Sequence, residues 1–338
     1  MTPEATRLAY HKAAQQALRH FPLRVAALEL VSISENITFR ITEADSGAIY
    51  ALRLHRPGYN SLQELISERR WTAALAASGI RVQQGVTALD GKLFCSIDLP
   101  ELQEQRLAGI THWLPGAPLS ESLEACNYQG ERVVQAFTDI GRLAAHLHNQ
   151  SSGWALPANF QRPYLDAEGL LGNNPRWGRF WEHPDLDNKT RALLQTARQY
   201  LGTVLENYGA RPDNFGLIHA DLHPENLLLS GDALSIIDFD DAAFGWHLYD
   251  LGTALIEVWG ARAYRDLRSS LLCGYRELRP LSADDENMLE TFVLLRGLAL
   301  IGWFGQRPEH GESGFFQDIC RQVVAACESL PTTLPVSG

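Results

Sequence analysis

The stretch Leu217–Asp241, LIHADLHPENLLLSGDALSIIDFDD, carries three oxygen-bearing side chains in an order suited to handling phosphate. Asp221, in HADLHPEN, is a carboxylate that can orient an acceptor hydroxyl or take its proton. Asn226 follows five residues later with an amide oxygen, and Asp238 twelve residues after that, at the end of LSIID. Phosphoryl transfer asks little covalent work of a protein: a positioned hydroxyl, a proton acceptor and divalent metal to neutralise the moving charge. Mg²⁺ takes hard oxygen ligands, one or two from protein and the rest from phosphate and water. Asp221 as base, with Asn226 and Asp238 as metal ligands, meets that requirement. Asp and Asn are common turn formers, so either block alone is more simply structural. What joins them is the pattern between: NLLL and LSIIDF around Ser230-Gly231-Asp232 predict a hairpin that returns Asp238 beside the first block.

Other polar and aromatic residues carry weaker signals. Asp240 and Asp241 could take a second Mg²⁺ or a substrate amine, and serve equally well as solvated loop acids. His219, Asp221 and His223 alternate in HADLH, a spacing seen in metallo-hydrolases, but such sites draw on further histidines and no companion cluster is visible. Trp246, Trp259, Trp303, Tyr249 and Phe304 could wall a cationic head group, and helical-core packing is the commoner use. The interruption NNPRWGRFWEHPDLD, with Trp177, Phe180 and Trp181, is of the kind that shapes a substrate pocket.

The elements that must position these groups fall into two kinds. Residues 3–20 show helical spacing. AALELVSI, ITFRIT and IYALRL then read as consecutive antiparallel strands, followed by a helix over SLQELISERRWTAALAASG. VTAL and KLFCSI flank Asp90-Gly91 as a predicted hairpin, and AGITHWLPGAPL reads as a last strand entering a Pro/Gly hinge. Beyond about residue 117 the pattern is helical, in ERVVQAFTDIGRLAAHLHNQ, DLRSSLLCGYREL and ENMLETFVLLRGLALIGWF, apart from the polar hairpin. The plan is α+β, with a β-rich part over 1–114, a mainly helical part over 115–338 and a cleft expected between them.

Charge is unevenly spread. The net charge is −11, yet residues 1–116 hold 12 basic and 11 acidic side chains, so the remainder carries the deficit. That sign disfavours a nucleic-acid partner and suits a cationic substrate or Mg²⁺. Lysines number three, Lys12, Lys92 and Lys189, against 26 arginines. No uninterrupted apolar run reaches the roughly 18–20 residues of a membrane span, and the amphipathic N-terminal stretch lacks a secretory h-region. Five scattered cysteines without a CxxC pair fit free thiols in a reducing cytoplasm.

Taken together, HADLHPEN, IDFDDA, YDLG, IGRLAAHLH and ENITFRI resemble the aminoglycoside phosphotransferase/choline kinase-like family, which also includes type II homoserine kinases and bacterial stress-response kinases. The resemblance spans about residues 25–300 and is most specific at 217–252. It implies a protein-kinase-like fold of two lobes, with ATP as cosubstrate and Mg²⁺ as cofactor. It assigns Asp221 to the substrate hydroxyl, Asn226 and Asp238 to Mg²⁺, and His219 and Asp250 to support of the catalytic loop. Where the family places a third-strand Lys paired with a helix Glu, this chain has Arg53 in YALRLHRP and Glu68 in LISERRW. Arg53–Glu68 is the expected phosphate-holding pair, with Arg56 and Glu64 as alternatives. An arginine holds phosphate oxygens through a planar fork, in a geometry unlike an ammonium. SISEN has no glycine-rich loop, so any phosphate cradle there would rest on backbone N–H groups around Ser34–Asn36. The expected activity is phosphorylation of a small-molecule hydroxyl, with the acidic second half favouring an amine-bearing alcohol of the homoserine, choline or aminoglycoside class. A protein Ser/Thr kinase and a catalytically silent nucleotide-binding protein are the competing readings.

Overall fold

The computed structural model describes residues 2–307 and 314–331. In chain order its elements are α1 (Pro3–Leu18), β1 (Val25–Ile33), β2 (Ile37–Glu43), β3 (Ile49–Leu54), α2 (Leu62–Ala77), β4 (Phe94–Leu99) and β5 (Glu104–His112). Then come β6 (Ala117–Pro118), α3 (Leu119–Ala125), α4 (Glu131–Gly153), β7 (Tyr164–Leu165), α5 (Ala167–Leu171), α6 (Asn188–Tyr208), β8 (Phe215–Ile218), β9 (Leu227–Ser230), β10 (Ala233–Ile236) and β11 (Ala243–Trp246). The chain continues through α7 (His247–Leu255), α8 (Tyr264–Leu278), α9 (Ala283–Gly305) and α10 (Gly314–Glu328).

These elements gather into two compact units. The first takes in the chain up to Ala117 with Ala155–Arg162 and Leu228–Asp240; the second takes in Pro118–Trp154, Pro163–Leu227 and the chain from Asp241. The mixture is α+β, one unit built on a sheet and the other on helices.

In the first unit, five strands form an antiparallel sheet in the order β1-β2-β3-β5-β4. Alternation of apolar residues buries Ile37, Phe39 and Ile41 from β2 with Leu52 and Leu54 from β3. The small face of α1, Ala13, Ala14 and Ala17, packs into the same core. Helix α2 opens on a capping box, Ser61 accepting from Glu64 N while the Glu64 carboxylate returns to Ser61 N. It buries Leu65, Trp71 and Leu75, and Trp71 meets Phe239 edge-on at 5.4 Å. That contact seats the residue between Asp238 and Asp240. VTAL is not a strand: Ala88 N bonds Lys92 O at 2.8 Å to close the Asp90-Gly91 turn, and β4 pairs with β5 instead. The ladder along β5 offers more hydrogen bonds than a short isolated hairpin could.

The second unit buries α4 against α8 at close range. A Cβ on Gly141 would collide with Leu271 O, and one on Gly274 with Thr138 O, so the crossing needs glycine on both helices. Strands β7, β11 and β8 form a small sheet in which Ala243 pairs with Ile218 and Trp246 with Phe215. This pairing carries the chain after Asp241 alongside the strand that leads into His219. Helix α9 is long and apolar enough to cross a membrane, which counting uninterrupted runs did not show, and 67% of its most apolar stretch is buried in the protein. Among its residues Leu289, Phe292, Val293, Leu295 and Leu298 belong to the core.

Candidate active site

Asp221 stands just beyond β8, and its loop is held from below by Asp250, in the first turn of α7. The fully buried Asp250 carboxylate accepts from His219 N at 3.0 Å and Ala220 N at 2.7 Å, and meets His148 Nε2 at 3.0 Å. His148 in turn faces the Tyr275 hydroxyl at 3.0 Å, which ties α4, α7 and α8 to the loop. Burial pushes the Asp250 carboxyl up to about 6, against the opposing pull of His219 and the two backbone N–H groups. Ala220 sits at φ +66°, a left-handed conformation that costs a non-glycine residue about 1–3 kcal/mol and that the two bonds to Asp250 enforce. The strained turn delivers Asp221, whose own N–H donates to His219 Nδ1 at 3.3 Å.

The Asp221 carboxylate is surrounded by donors. Asn226, at the end of the 3₁₀ turn Pro224–Asn226, donates Nδ2 to Asp221 Oδ2 at 2.9 Å and to Asp221 O at 2.9 Å. Arg296 of α9 donates Nη2 to Asp221 Oδ1. His223 places Nε2 at 3.4 Å from Asp221 Oδ2 and Nδ1 at 3.3 Å from Glu257 Oε1. Tyr128 donates its hydroxyl to the other Glu257 oxygen at 2.9 Å. Burial works to raise the Asp221 carboxyl, but His223 and Arg296 outweigh it and hold it well below the usual carboxylate range. Burial likewise opposes charge on His223, yet Asp221 and Glu257 push it up to about 10. The cluster is therefore an ionised carboxylate between two cations.

Asp238 and Asp240 belong to the first unit, with Arg53. Arg53 Nη1 donates to Asp238 Oδ1 at 2.9 Å and lies 3.3 Å from Asp240 Oδ1. Asn36, in the β1–β2 turn, donates Nδ2 to Asp240 Oδ2 and accepts from Arg56 N at 2.9 Å. Backbone oxygens anchor the same segment: Arg162 Nη2 reaches Asp240 O at 2.7 Å and Phe239 O at 3.1 Å, and Asn60 Nδ2 reaches Asp240 O at 2.9 Å. Asp238 itself sits at φ +62°. Burial would raise Asp240, but Arg53 and His55 hold it down to about 2.

The expected Arg53–Glu68 pair is not formed: Arg53 is taken by Asp238 and Asp240, and the Glu68 carboxylate has Arg69 Nη1 as its salt-bridge partner at 4.0 Å. Glu68 is buried on α2, where a carboxylate desolvated at that depth is drawn to the neighbouring arginine on its own helix. Glu64, the alternative, is used up in the capping box, and Arg56 pairs with Glu35 at 3.0 Å. Asp241 belongs to the second unit, where its Oδ1 accepts from Trp177 Nε1 at 3.4 Å. His219 and Asp250 both meet the Asp221 loop. Arg296, Glu257 and Tyr128 lie outside the expected set, as do the parts that the side chains of Asn36 and His223 take beside Asp240 and Asp221. Arg296 alone left a trace in the sequence, as a lone charge in the apolar run VLLRGLAL.

Each unit presents an oxygen of the type a hard divalent cation takes, Asn226 in the second and Asp238 in the first. Asn226 spends its amide nitrogen on the Asp221 carboxylate and carbonyl, which leaves its oxygen outside both bonds. Asp238 contributes a carboxylate that is partly exposed, with 38% of its side chain accessible. An amide oxygen and a carboxylate are the ligand types Mg²⁺ takes.

Comparison with known proteins points the same way. The family model of the phosphotransferase enzyme family matches residues 28–281. A solved structure described as the microcompartment-associated aminopropanol kinase is 34% identical, covers 94% of this chain and 95% of its own, and has a TM-score of 0.78. The homoserine kinase of Sinorhizobium medicae is 30% identical over 213 residues, 62% of this chain and 61% of the relative. The amicoumacin kinase hAmiN, solved with AMP-PNP, Ca²⁺ and Ami, shares the fold at a TM-score of 0.77 and 19% identity, covering 97% of this chain and 96% of that one. On these grounds, the chain belongs to the phosphotransferase enzyme family and is a kinase that moves phosphate to the hydroxyl of a small molecule.

Proposed function

We propose that the protein is an ATP- and Mg²⁺-dependent kinase of a small amino alcohol, with Asp221 as the residue that receives the acceptor hydroxyl. The reading is carried by the state of Asp221: a carboxylate ionised at any physiological pH, fixed on both oxygens, at the tip of a loop locked by Asp250. So acidic a carboxylate is a poor proton abstractor, because general-base efficiency peaks when the pKa lies near the working pH. Its work is to accept a hydrogen bond from the hydroxyl, aim the oxygen along the line of attack and take the proton late. A loose transition state, with little bond formation to the nucleophile, asks for no more.

Asn226, through its amide oxygen, and Asp238, through its carboxylate, are the proposed ligands of Mg²⁺. When bound, Mg²⁺ supplies neutralisation of charge on the phosphate being transferred. Arg53 is proposed to hold phosphate oxygens, its planar fork standing in for the ammonium usual in the family. Asp240 then serves as the partner that keeps Arg53 in place once phosphate arrives. His219 and Asp250 are proposed as supports of the loop, not as groups that touch substrate.

An amine on the acceptor is supported by the 34% likeness, over nearly the whole of both chains, to the structure described as an aminopropanol kinase. The charge of the chain agrees: beyond residue 116 it holds 17 basic and 29 acidic side chains, an excess of negative charge that suits an ammonium-bearing acceptor. The test is ADP formation with 1-amino-2-propanol, ethanolamine, choline, homoserine, simple sugars, aminoglycosides and a generic protein acceptor. A preference in kcat/KM for the small amino alcohols supports the reading. Turnover confined to sugars or to protein would overturn it.

A further inference from the structure

Arg296 is out of place by every rule of helix packing. It lies in the middle of α9 among Val293, Leu294, Leu295 and Leu298, and is only 7% exposed. A buried guanidinium loses several kcal/mol of hydration, and an apolar residue at such a position commonly leaves a fold equally or more stable. Stability is therefore a weak reason for an arginine here.

Its contacts suggest another reason. Nη2 donates to Asp221 Oδ1. The guanidinium carbon lies 5.8 Å from the centre of the Trp177 ring. Trp177 is fixed in turn: its indole N–H reaches Asp241 Oδ1 at 3.4 Å, and its ring stacks on Tyr249 at 6.0 Å with planes 7° apart. Asp221 is thus held at both oxygens, at Oδ1 by Arg296 and at Oδ2 by Asn226 and His223, which determines both the direction of the carboxylate and the plane it lies in. Asn226 and His223 both bear on Oδ2, so Arg296 is what holds Oδ1 and stops the carboxylate turning about its held oxygen.

We propose that Arg296 is a positioning residue for phosphate transfer: braced by Trp177, it sets the orientation in which Asp221 meets the acceptor hydroxyl. This rests on the role given to Asp221 above. The segment around Trp177 then has a purpose beyond packing, since it carries the brace for a residue on the opposite side of the chain's order.

The test uses the full-length protein and the best acceptor from the panel. In Arg296→Met, kcat should fall about 100-fold, the loss typical of an ångström-scale misplacement, while calorimetric affinity for Mg·ATP stays within about twofold of wild type. In Arg296→Ala, millimolar guanidinium chloride should restore at least about tenfold of the lost kcat, and the same salt should do nothing for wild type. If Arg296→Met or Arg296→Ala does not fold, Trp177→Leu keeps the arginine and loosens its brace, and should lower kcat about tenfold at unchanged affinity for Mg·ATP. A kcat within threefold of wild type in Arg296→Met, or in Trp177→Leu where that variant replaces it, overturns the proposal. So does a loss of kcat matched by an equal loss of nucleotide binding, which is the mark of a merely structural residue. Asp221→Asn is run beside these. If it keeps activity, the reading of Asp221 has failed; if it is dead while Arg296→Met turns over normally, only the positioning role has.

Discussion

Arg53 donates Nη1 to Asp238 Oδ1 at 2.9 Å, so a strand guanidinium holds the very carboxylate proposed for the metal. The same nitrogen lies 3.3 Å from Asp240 Oδ1, and although burial opposes its charge, Asp238 and Asp240 outweigh burial and keep the group charged throughout. Arg53 therefore has an alternative carboxylate when Asp238 turns to another cation. Glu68 is not that partner in this structure.

Removing the arginine should weaken nucleotide binding. A charge-assisted hydrogen bond is worth about 1.5–3 kcal/mol, so Arg53→Met should raise KM for ATP by about ten- to a hundredfold with a smaller effect on kcat. Steady-state kinetics at saturating acceptor reads this directly. An unchanged KM would take Arg53 out of the phosphate site.

Asp238→Ala separates metal from nucleotide. Calorimetry should find that Mg²⁺ no longer strengthens ATP binding in this variant, whereas it does so in wild type. Equal Mg²⁺ dependence in both proteins would place the metal elsewhere.

Asp221→Ala should lower phosphate transfer by about 10²–10⁴-fold, the range for a hydroxyl-orienting acid–base group, and leave ATP affinity nearly intact. Transfer within tenfold of wild type would refute the assignment.

Stability should fall on mild acidification. His148 and His247 stack at 4.5 Å, and burial, with Arg279 nearby, depresses both well below the ordinary histidine value. A depressed histidine takes its proton first in the unfolded chain, so the stability it contributes above about pH 6.5 is lost as pH drops below that. Asp250 works in the opposite sense: a carboxyl raised to about 6 binds its proton first in the folded state, so its contribution declines as pH rises from about 4 to 6. His55 and His183, also depressed by burial, act with this pair, while His223, pushed up to about 10, and Glu68, raised by burial, act with Asp250; the four depressed histidines outweigh these three groups, and the urea midpoint should be lower at pH 5.5 than at pH 7.5. His247→Phe keeps the stack and removes one titrating group, so the difference between the two midpoints should shrink. A difference as large as in wild type would show that other groups set the acid limb.

Much of the arrangement was legible in the chain order because local patterns encode it. Period-two apolar alternation marks β1, β2 and β3, Ser61 with Glu64 marks the start of α2, and Ser230-Gly231-Asp232 marks the turn between β9 and β10. The roles proposed for Asp221, Asn226 and Asp238 rest on their residue types and spacing, since few reactions want hard oxygens in that order. VTAL failed as a strand for a non-local reason: β4 found a longer ladder on β5.

Pairings across long chain separations were decided only by the tertiary structure. Arg53 had Glu68 fifteen residues away as a plausible mate, but strand and helix geometry put Asp238 and Asp240 nearer its fork. Arg296 stands 75 residues from Asp221, and nothing in an apolar helix says which acid it will meet. A side chain's type and its neighbours on one helix or strand are properties of sequence; the partner a buried charge must find is set by how elements pack, because only packing determines where water has been removed.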